Sequence, residues 1–355
     1  MRRLLMIILA LAALCGCERS FDISGQVGDS TIWMTFIPSN DYDSTFFFVQ
    51  ATTPLAGKTN PVLTAGESVE VRVNGQQLTL EKNRRSIADR LQCYVTDHVF
   101  KSGDVVEASA TVHGVGTVGA SCEVPEPFPS YSWKARVVEK TDRINTLLVD
   151  IEYDDPGDGG YYGAVVCQYI EETSQWEDND LETGEKYWGE VTHSTRTGYL
   201  PPCAMTEMEG FSAGSESPVT AMPKYYNYLS NASGSQRRVQ IWSDMSSPSP
   251  KDGRRHMTFA SRCNEQPGRT DYTGGTYHGW TEHNYKYRLV LYRFSESYYN
   301  YLKARDNSDN DDFSSLGLAP ASFVYTNVRG GAGVCGAYTV IYSDWIIIEY
   351  DPNEI

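Results

Sequence analysis

"VRVNGQQL" (residues 71–78) is the stretch that decides the fold prediction. Asn74 and Gly75 stand between two alternating segments, and this dipeptide favours the two-residue type I′ turn that joins antiparallel strands. The sequence therefore predicts a β-hairpin here. Similar short alternating segments surround it, separated by Gly, Asn, Asp and Pro. They are STIWMTFIP (30–38), TFFFVQATT (45–53), ESVEVRVNG (67–75), QQLTLEKN (76–83), LQCYVTD (91–97) and DVVEASATVHG (104–114).

Six or seven short strands within about a hundred residues are typical of an immunoglobulin-like sandwich. The segment EVPEPFPSYSW (123–133) contains three prolines and is expected to be a stiff, extended linker. We therefore predict an all-β protein, with an N-terminal immunoglobulin-like sandwich at residues 17–125 and a linker at 126–135. A larger β-sandwich domain with one short helix is predicted at 136–355.

The second region again alternates, and then its period changes. Alternation weakens between Glu171 and Arg237, where we expect acidic, turn-rich loops. Tyr298, Tyr301 and Leu302 follow helical spacing, and Ser295 is well placed as the N-cap of a helix. The expected strands are KARVVEKT (134–141), NTLLVDIEYDD (145–155), YYGAVVCQYIEE (161–172), RRVQIWSD (237–244), HMTFASRC (256–263), YKYRLVLYRFS (285–295), ASFVYTNV (321–328) and YTVIYSDWIIIEY (338–350).

The N-terminus is typical of an exported protein. Arg2 and Arg3 precede the apolar run Leu4–Leu14, which is shorter than the roughly 20 residues that a membrane-spanning helix needs. The residues Leu-Cys-Gly-Cys at 14–17 resemble a bacterial lipobox. This predicts a signal peptide at residues 1–16 and a Cys17 that carries acyl chains and anchors the protein. A plain signal peptide or an uncleaved anchor are the alternatives.

The charge of the chain excludes some partners. The 355 residues carry a formal charge of −16, which becomes −18 once the two arginines of the signal are removed. An acidic body argues against nucleic acid as a partner and against attachment to anionic lipid by charge alone. Hydrophobic residues make up 40% of the chain, which is enough to build sizeable cores.

Six cysteines lie beyond Cys17, and an even number in an exported chain permits disulfides. None has CxxC spacing, which argues against a zinc knuckle or a thioredoxin-like site. Cys93 and Cys122 both lie in strands of the first domain, so we predict that they pair. The alternative is that both are buried free thiols.

The C-terminal segments resemble a known family. YKYRLVLYRFSESYYNYLKA (285–304) and LAPASFVYTNVRGGAGVCGAY (318–338) follow the lipobox, the β-rich domain and the proline-rich joint. Together they resemble the lipoproteins of the Bacteroidota described as domain of unknown function 4249. The matching positions are Pro320, Asn327, Gly330, Gly331, Gly333, Gly336 and Tyr338, whereas Cys335 stands where the family usually has an aromatic residue.

Members of this family look like outer-membrane lipoproteins and are often encoded beside TonB-dependent transporters. The resemblance therefore implies that this chain is an outer-membrane lipoprotein. An accessory or ligand-capturing role beside a transporter follows as an expectation. Fold and neighbourhood do not establish a site. Whether the protein faces the periplasm or the cell surface is left open.

The glycine-rich segment NVRGGAGVCG (327–336) lacks the GK[ST] ending of a phosphate-binding P-loop and does not begin a helix. We expect its glycines to permit positive φ or close backbone approach in a turn between two core strands.

No pattern in the chain points to a metal, a cofactor or catalysis. His278 and His283 are five residues apart and would lie on opposite faces of a strand. The segment Asp306–Asp312 resembles the start of a calcium loop but lacks its glycine and final glutamate, and Asp154–Gly160 is first of all a turn. A nucleophile elbow GxSxG is missing, so a hydrolase is the least favoured alternative.

Aromatic residues in polar, loop-like segments are the remaining functional feature. Exposed rings supply contact area for sugars, peptides or proteins, although the same rings could simply cover the ends of the sheets. We predict a ligand-binding protein anchored to the outer membrane, with a surface adhesin or structural lipoprotein as the alternative. The predicted ligand-binding residues are Trp176, Trp188, Tyr272, Tyr277 and Trp280.

Overall fold

The computed structural model confirms the all-β class. It describes residues 30–41, 44–51, 67–82, 91–140, 145–179, 182–203, 219–220, 238–245, 250, 252–263, 268–273, 278–309 and 325–348. The strands of the N-terminal half are β1 (Ile32–Phe36), β2 (Thr45–Ala51), β3 (Glu67–Val73), β4 (Gln76–Gln77), β5 (Glu81–Lys82), β6 (Leu91–Thr96), β7 (Val105–Val112), β8 (Gly116–Glu123), β9 (Tyr131–Lys140) and β10 (Asn145–Asp154).

The remaining elements lie between residues 161 and 342 of the chain. They are β11 (Tyr161–Asn179), β12 (Lys186–Trp188), β13 (Thr192–Leu200), β14 (Pro202–Cys203), β15 (Val219–Thr220), β16 (Arg238–Ser243), β17 (Arg254–Cys263), β18 (Gly268–Tyr272), β19 (Gly279–Phe294), the helix α1 (Glu296–Asp309), β20 (Ala332–Cys335) and β21 (Tyr338–Tyr342).

Two sheets form the first sandwich, one in the order β20-β1-β2-β6-β5 and the other in the order β4-β3-β7-β8. Their facing side chains form one core, in which Met34, Phe47 and Val71 are fully buried. The predicted hairpin is confirmed. Asn74 has a φ of 52° and Gly75 a φ of 79°, as a type I′ turn requires, and Val73 pairs with Gln76 across it.

A C-terminal segment closes this sandwich. Strand β20 pairs in parallel with β1, and two backbone hydrogen bonds between Gly119 and Arg329 join the same segment to the other sheet. We call residues 327–336 the clasp. A methyl group at Gly333 would overlap the Met34 carbonyl oxygen, and the φ of Gly333 is 106°. The expected role of the glycines, close approach and positive φ, is confirmed.

The second sandwich packs a four-stranded sheet, β14-β17-β10-β9, against an eight-stranded sheet. In the larger sheet β11 and β19 are the central strands, paired without interruption from Tyr161↔Phe294 to Trp176↔Gly279. Even-numbered residues of β11 and odd-numbered residues of β19 face the four-stranded sheet. The buried members of this core include Val149, Ile151, Ala164, Val166, Phe259, Leu289 and Leu291.

The opposite face of the larger sheet carries α1. Tyr298 and Leu302 of the helix pack with Val165 and Val290 of the sheet, and Val334 of the clasp belongs to the same buried cluster. The helix, the clasp and the sheet therefore share one core.

The N-cap of α1 is confirmed. The Tyr298 amide donates to Ser295 Oγ over 3.3 Å, which satisfies one of the free donors of the first helical turn. The same Ser295 Oγ accepts from the Ala337 amide over 2.9 Å. The start of the helix is thus fixed to the residue that follows the clasp.

The predicted division of the chain stays a prediction, but two facts bear on it. Residues 124–130 contain no regular structure, whereas 131–135 of the predicted linker already belong to β9. Strand β20, from the C-terminal part of the chain, lies in a sheet of the first sandwich.

Two expectations about local structure are wrong. The region after Glu171 is not only loop, because β11 continues to Asn179 and β13 pairs with it from Thr192 to Leu200. The sequence does not predict these strands because mainly polar residues lie on both of their faces. The alternation that marks a half-buried strand is therefore missing. At 345–348 the structure has an isolated bridge between Ile346 and Tyr287 in place of the expected strand.

Candidate functional site

Beyond the two cores of the second sandwich, β11 and β19 continue as an antiparallel ribbon. Strands β12 and β13 flank the β11 side, and β18 flanks the β19 side. All five residues of β18 and all three of β12 are exposed. We call this ribbon the aromatic arm and define it as residues 171–179, 186–197, 268–272 and 279–284. It carries four of the five aromatic residues predicted to bind ligand.

Trp176 and Tyr272 meet on one face of the aromatic arm. Their ring centroids are 5.1 Å apart with an interplanar angle of 36°. Both residues pair with Gly279, which stands between them in the sheet. A side chain at Gly279 would overlap the Trp176 indole, so the glycine leaves the space in which the two rings touch. Trp176 is 37% exposed and Tyr272 is 42% exposed.

A third ring lies on the same face. Tyr187 pairs with Asp178, two residues from Trp176, and side chains two apart in a strand point to the same side. Tyr187 is 52% exposed. We call Trp176, Tyr187 and Tyr272 the stack face. Large exposed rings grouped in this way are a common feature of binding surfaces.

Trp188 and Trp280 lie on the opposite face of the arm. Their partners, Glu177 and Gln175, are odd-numbered residues of β11, whereas Trp176 is even-numbered. Trp280 donates from Nε1 to Gln175 Oε1 over 3.3 Å, and the Arg269 guanidinium lies 4.3 Å from its ring centroid. Trp188 is 55% exposed.

The structure therefore divides the predicted binding residues. It brings Trp176 and Tyr272 together, separates them from Trp188 and Trp280, and Tyr277 lies outside the described residues. The expectation that these aromatic residues sit in loops is wrong for the four described ones, which lie in β11, β12, β18 and β19. Sequence reasoning did not identify Gly279 as the spacer, because that role depends on the pairing of three strands.

Charged side chains on the arm are largely paired. Glu171 with Lys286, Glu172 with His283, Glu177 with Lys186 and Asp271 with Arg269 have nitrogen–oxygen distances of 2.9, 3.1, 2.8 and 2.9 Å. The hydrogen bond from Lys186 lowers the pKa of Glu177, and the hydrogen bond to Glu171 raises the pKa of Lys286. Such exposed pairs contribute little stability, but they leave the rings as the distinctive chemistry of the arm.

A buried polar cluster lies elsewhere in the second sandwich. Tyr153 donates its hydroxyl proton to Asp244 over 2.9 Å, and Trp242 Nε1 donates to the Tyr153 oxygen over 2.8 Å. Arg255 lies between Asp244 and Asp155, at 3.3 and 3.1 Å. Burial raises the pKa of Asp244 to about 6, and burial and the nearby Asp244 raise the pKa of Tyr153.

A perturbed carboxylate can indicate a catalytic site, but this one is enclosed by its partners. Asp244, Tyr153 and Arg255 connect the end of β16 to β10 and β17, and their polar atoms bind one another. We interpret the cluster as a structural tie between the two sheets of the sandwich.

An open groove of about 600 Å³ lies on the first sandwich. Its lining within the described residues has no charged side chain and consists of Ser68, Val69, Gln77, Leu78, Thr79, Leu80 and Tyr94. Tyr94 is the one aromatic residue in that described lining, so it is a weaker candidate for binding than the three grouped rings of the stack face.

The histidine pair and the two acidic segments considered as metal sites lie partly within the described residues. His283 contacts Glu172, and the described part of the chain contains no group of three or more His, Cys, Asp or Glu side chains that could hold a metal ion. The segment Asp154–Gly160 forms a turn, in which Asp155 accepts from the Gly157 amide. The calcium-like segment Asp306–Asp312 begins within α1, and its last three residues, 310–312, lie outside the described residues.

The expected bridge between Cys93 and Cys122 is not formed in this structure. Both are free thiols, and Cys93 packs with Phe48 apart from the main core of the first sandwich. Cys122 packs against that core, where its sulfur lies 3.5 Å from that of Cys335.

Comparison with protein families places most of the chain in one family model. A family model described as Domain of unknown function (DUF4249) matches residues 35–342. No curated protein matches the chain. Among the described residues, none of the helices has the length and apolar character needed to cross a membrane.

Asp244 predicts a specific pH dependence of stability. Its folded pKa of about 6 lies above the ordinary value of an aspartate, so its contribution to stability is complete below about pH 4 and is lost as the pH rises through 6. The free energy of unfolding of the wild type minus that of Asp244→Asn should fall by roughly 1–2 kcal/mol between pH 4 and pH 7. Urea titrations followed by tryptophan fluorescence measure it.

Asp252→Asn, which removes an exposed carboxylate of the same sandwich, is the matched control. The pKa of the buried Asp244 carboxyl is not raised if the free energy of unfolding of the wild type minus that of Asp244→Asn stays constant between pH 4 and pH 7. The same conclusion follows if this difference rises with pH.

Proposed function

The chain belongs to the DUF4249 family, and on that premise we propose that it is an outer-membrane lipoprotein that binds a ligand or protein partner. The match covers most of the chain, but the family description assigns no activity. The proposed function therefore depends on the chemistry of the residues themselves. The observation that carries it is the stack face, three exposed aromatic rings grouped on one face of a paired ribbon.

The anchor in this proposal is Cys17, which lies outside the described residues. Its support is the order of a positive n-region, a short apolar run and a Leu-Cys-Gly-Cys sequence. Twelve residues separate Cys17 from Ser30, and a fully extended chain of that length reaches at most about 45 Å. An anchor at Cys17 would thus keep the first sandwich close to the bilayer surface.

The stack face supports binding because aromatic rings bury a large area with little loss of side-chain freedom. Trp176 and Tyr272 are also positioned in advance, since their contact across Gly279 fixes one ring against the other. A preorganised surface loses less entropy on association than a flexible one. Planar or ring-shaped groups, such as sugars or the side chains of a protein partner, suit such a surface.

A TonB-dependent transporter is the partner we propose. The support is the family resemblance, together with the combination of a lipid anchor and an exposed binding surface on one chain. An accessory held at the outer membrane by its lipid would meet a transporter in the same membrane at high effective concentration. A surface adhesin is the competing function, and the second experiment below distinguishes the two.

The first test concerns the anchor. Cys17→Ser should abolish incorporation of labelled palmitate and release the protein from sedimenting membranes, because the acylated sulfur is lost. Cys15→Ser is a closely matched control, since Cys15 would leave with the signal peptide and its loss should change neither result. Palmitate on the Cys17→Ser protein, or none on the wild type, contradicts the proposed anchor.

The second test concerns the stack face. Trp176→Ala combined with Tyr272→Ala should reduce recovery of a TonB-dependent transporter, co-purified with the protein from detergent-solubilised membranes, by roughly 10-fold or more. Trp188→Ala removes an exposed ring from the opposite face of the same arm and should leave recovery unchanged. Circular dichroism would check that both variants keep the fold.

Two outcomes oppose the proposal. If the wild type recovers no transporter, the accessory role is wrong, and binding to host or matrix molecules would then favour the adhesin. If the double variant recovers as much transporter as the wild type does, the stack face is not the contact surface.

A further inference from the structure

The clasp brings two cysteines together that are 213 residues apart in the chain. Cys335 lies on β20 in one sheet of the first sandwich, and Cys122 lies on β8 in the other sheet. Their sulfur atoms are 3.5 Å apart. Cys335 is fully buried, whereas Cys122 is half-buried.

Both cysteines are held by well-defined backbone contacts. The Asn327 side chain accepts from the Cys335 amide over 3.0 Å and donates to its carbonyl oxygen over 2.8 Å. Ser297 Oγ donates to the same carbonyl over 3.0 Å. Cys122 is fixed in the β7–β8 ladder opposite Val106. The backbones that carry the two thiols are therefore both held in place.

We propose that Cys122 and Cys335 form a disulfide bond when the chain meets a thiol oxidant. The step needs an oxidant of the disulfide class, such as oxidised glutathione or a disulfide-carrying oxidase. The Cys122 thiolate attacks one sulfur of the oxidant and displaces a thiolate, which gives a mixed disulfide. The Cys335 thiolate then attacks the Cys122 sulfur and displaces the second thiolate of the oxidant. Both cysteine protons pass to solvent and the oxidant gains two electrons.

The bond would have a structural effect that a surface bridge lacks. It would join the two sheets of the first sandwich directly, at the point where the clasp crosses between them. Because it would close a loop of more than 200 residues, the chain-entropy contribution of the bond is near the upper end of the usual range.

The order and rate of the reaction follow from the surroundings of the two thiols. The hydrogen bond between the two thiols and the burial of Cys122 raise the pKa of the Cys122 thiol, so its thiolate is scarce in the folded protein at neutral pH. Exchange in the folded protein is therefore slow and becomes faster as the pH rises. Half-buried Cys122 is the first point of attack, and buried Cys335 resolves the intermediate.

In the cell the reaction rests on the proposed export, because cytosolic thiols stay reduced. The experiment therefore has two arms on the full-length chain. In one, protein purified under reducing conditions is exposed to oxidised glutathione. In the other, protein is taken from membranes of the native organism with free thiols blocked by N-ethylmaleimide at lysis.

Digestion with trypsin without reduction makes the result unambiguous. Cys122 lies in the fragment 102–134 and Cys335 in the fragment 330–355, and each fragment contains no other cysteine. The expected product is the linked pair of these fragments, lighter by two hydrogens than the two reduced fragments together. Reduction should also lower the apparent Tm of the oxidised protein by roughly 5 °C or more.

Variants identify the bond. Cys122→Ser, the milder change because this side chain is half-buried, and Cys335→Ser should each abolish the linked pair and the Tm difference. Cys93→Ser is the matched control and should keep both.

The glutathione arm decides the proposal. Unlinked fragments in that arm overturn it, as does fragment 102–134 linked to fragment 91–101, which contains Cys93. A linked pair in the glutathione arm with blocked thiols in the membrane arm supports the geometry and counts against the proposed export instead.

Discussion

The uninterrupted pairing of β11 with β19 is the constraint on which the rest of the second half depends. One face of this ladder builds the core against the four-stranded sheet, and the other carries α1 and the clasp. Its far end projects beyond both cores as the aromatic arm. A core ladder that continues into the solvent holds exposed rings in fixed positions, which a loop of the same composition would not do.

The clasp gives the first sandwich a similar dependence on distant sequence. Gly333 lets β20 approach β1 closely, and the Asn327 side chain fixes the backbone of Cys335. Ser295 then joins the residue after the clasp to the start of α1. The first sandwich is thus completed by residues that follow the second one in the chain. Contacts between residues so far apart in the chain raise the entropic cost of loop closure during folding.

Local features of the fold could be predicted from the sequence, and long-range ones could not. Asn74-Gly75 and the N-cap Ser295 depend on neighbours in the chain, and both are predicted from it. The need for glycine in the clasp is also predicted, but the Met34 carbonyl that Gly333 approaches lies in a distant strand. The arm is not predicted as strand, because apart from Trp176 the side chains of 171–179 are polar on both faces and carry no alternation. The approach of Cys122 to Cys335 follows from the parallel pairing of β1 with β20, which no local pattern indicates. The candidate rings were recognised by type, but their division between two faces required the register.

Hydrogen–deuterium exchange of the purified full-length protein tests most directly whether the aromatic arm is a fixed platform. The β11–β19 ladder predicts that amides of 171–176 and 279–284 exchange at least about 100-fold more slowly than those of an unstructured chain, although many of their side chains are exposed. Exchange at the rate of an unstructured chain in these two segments, with protection confined to the core part of the ladder, would contradict it.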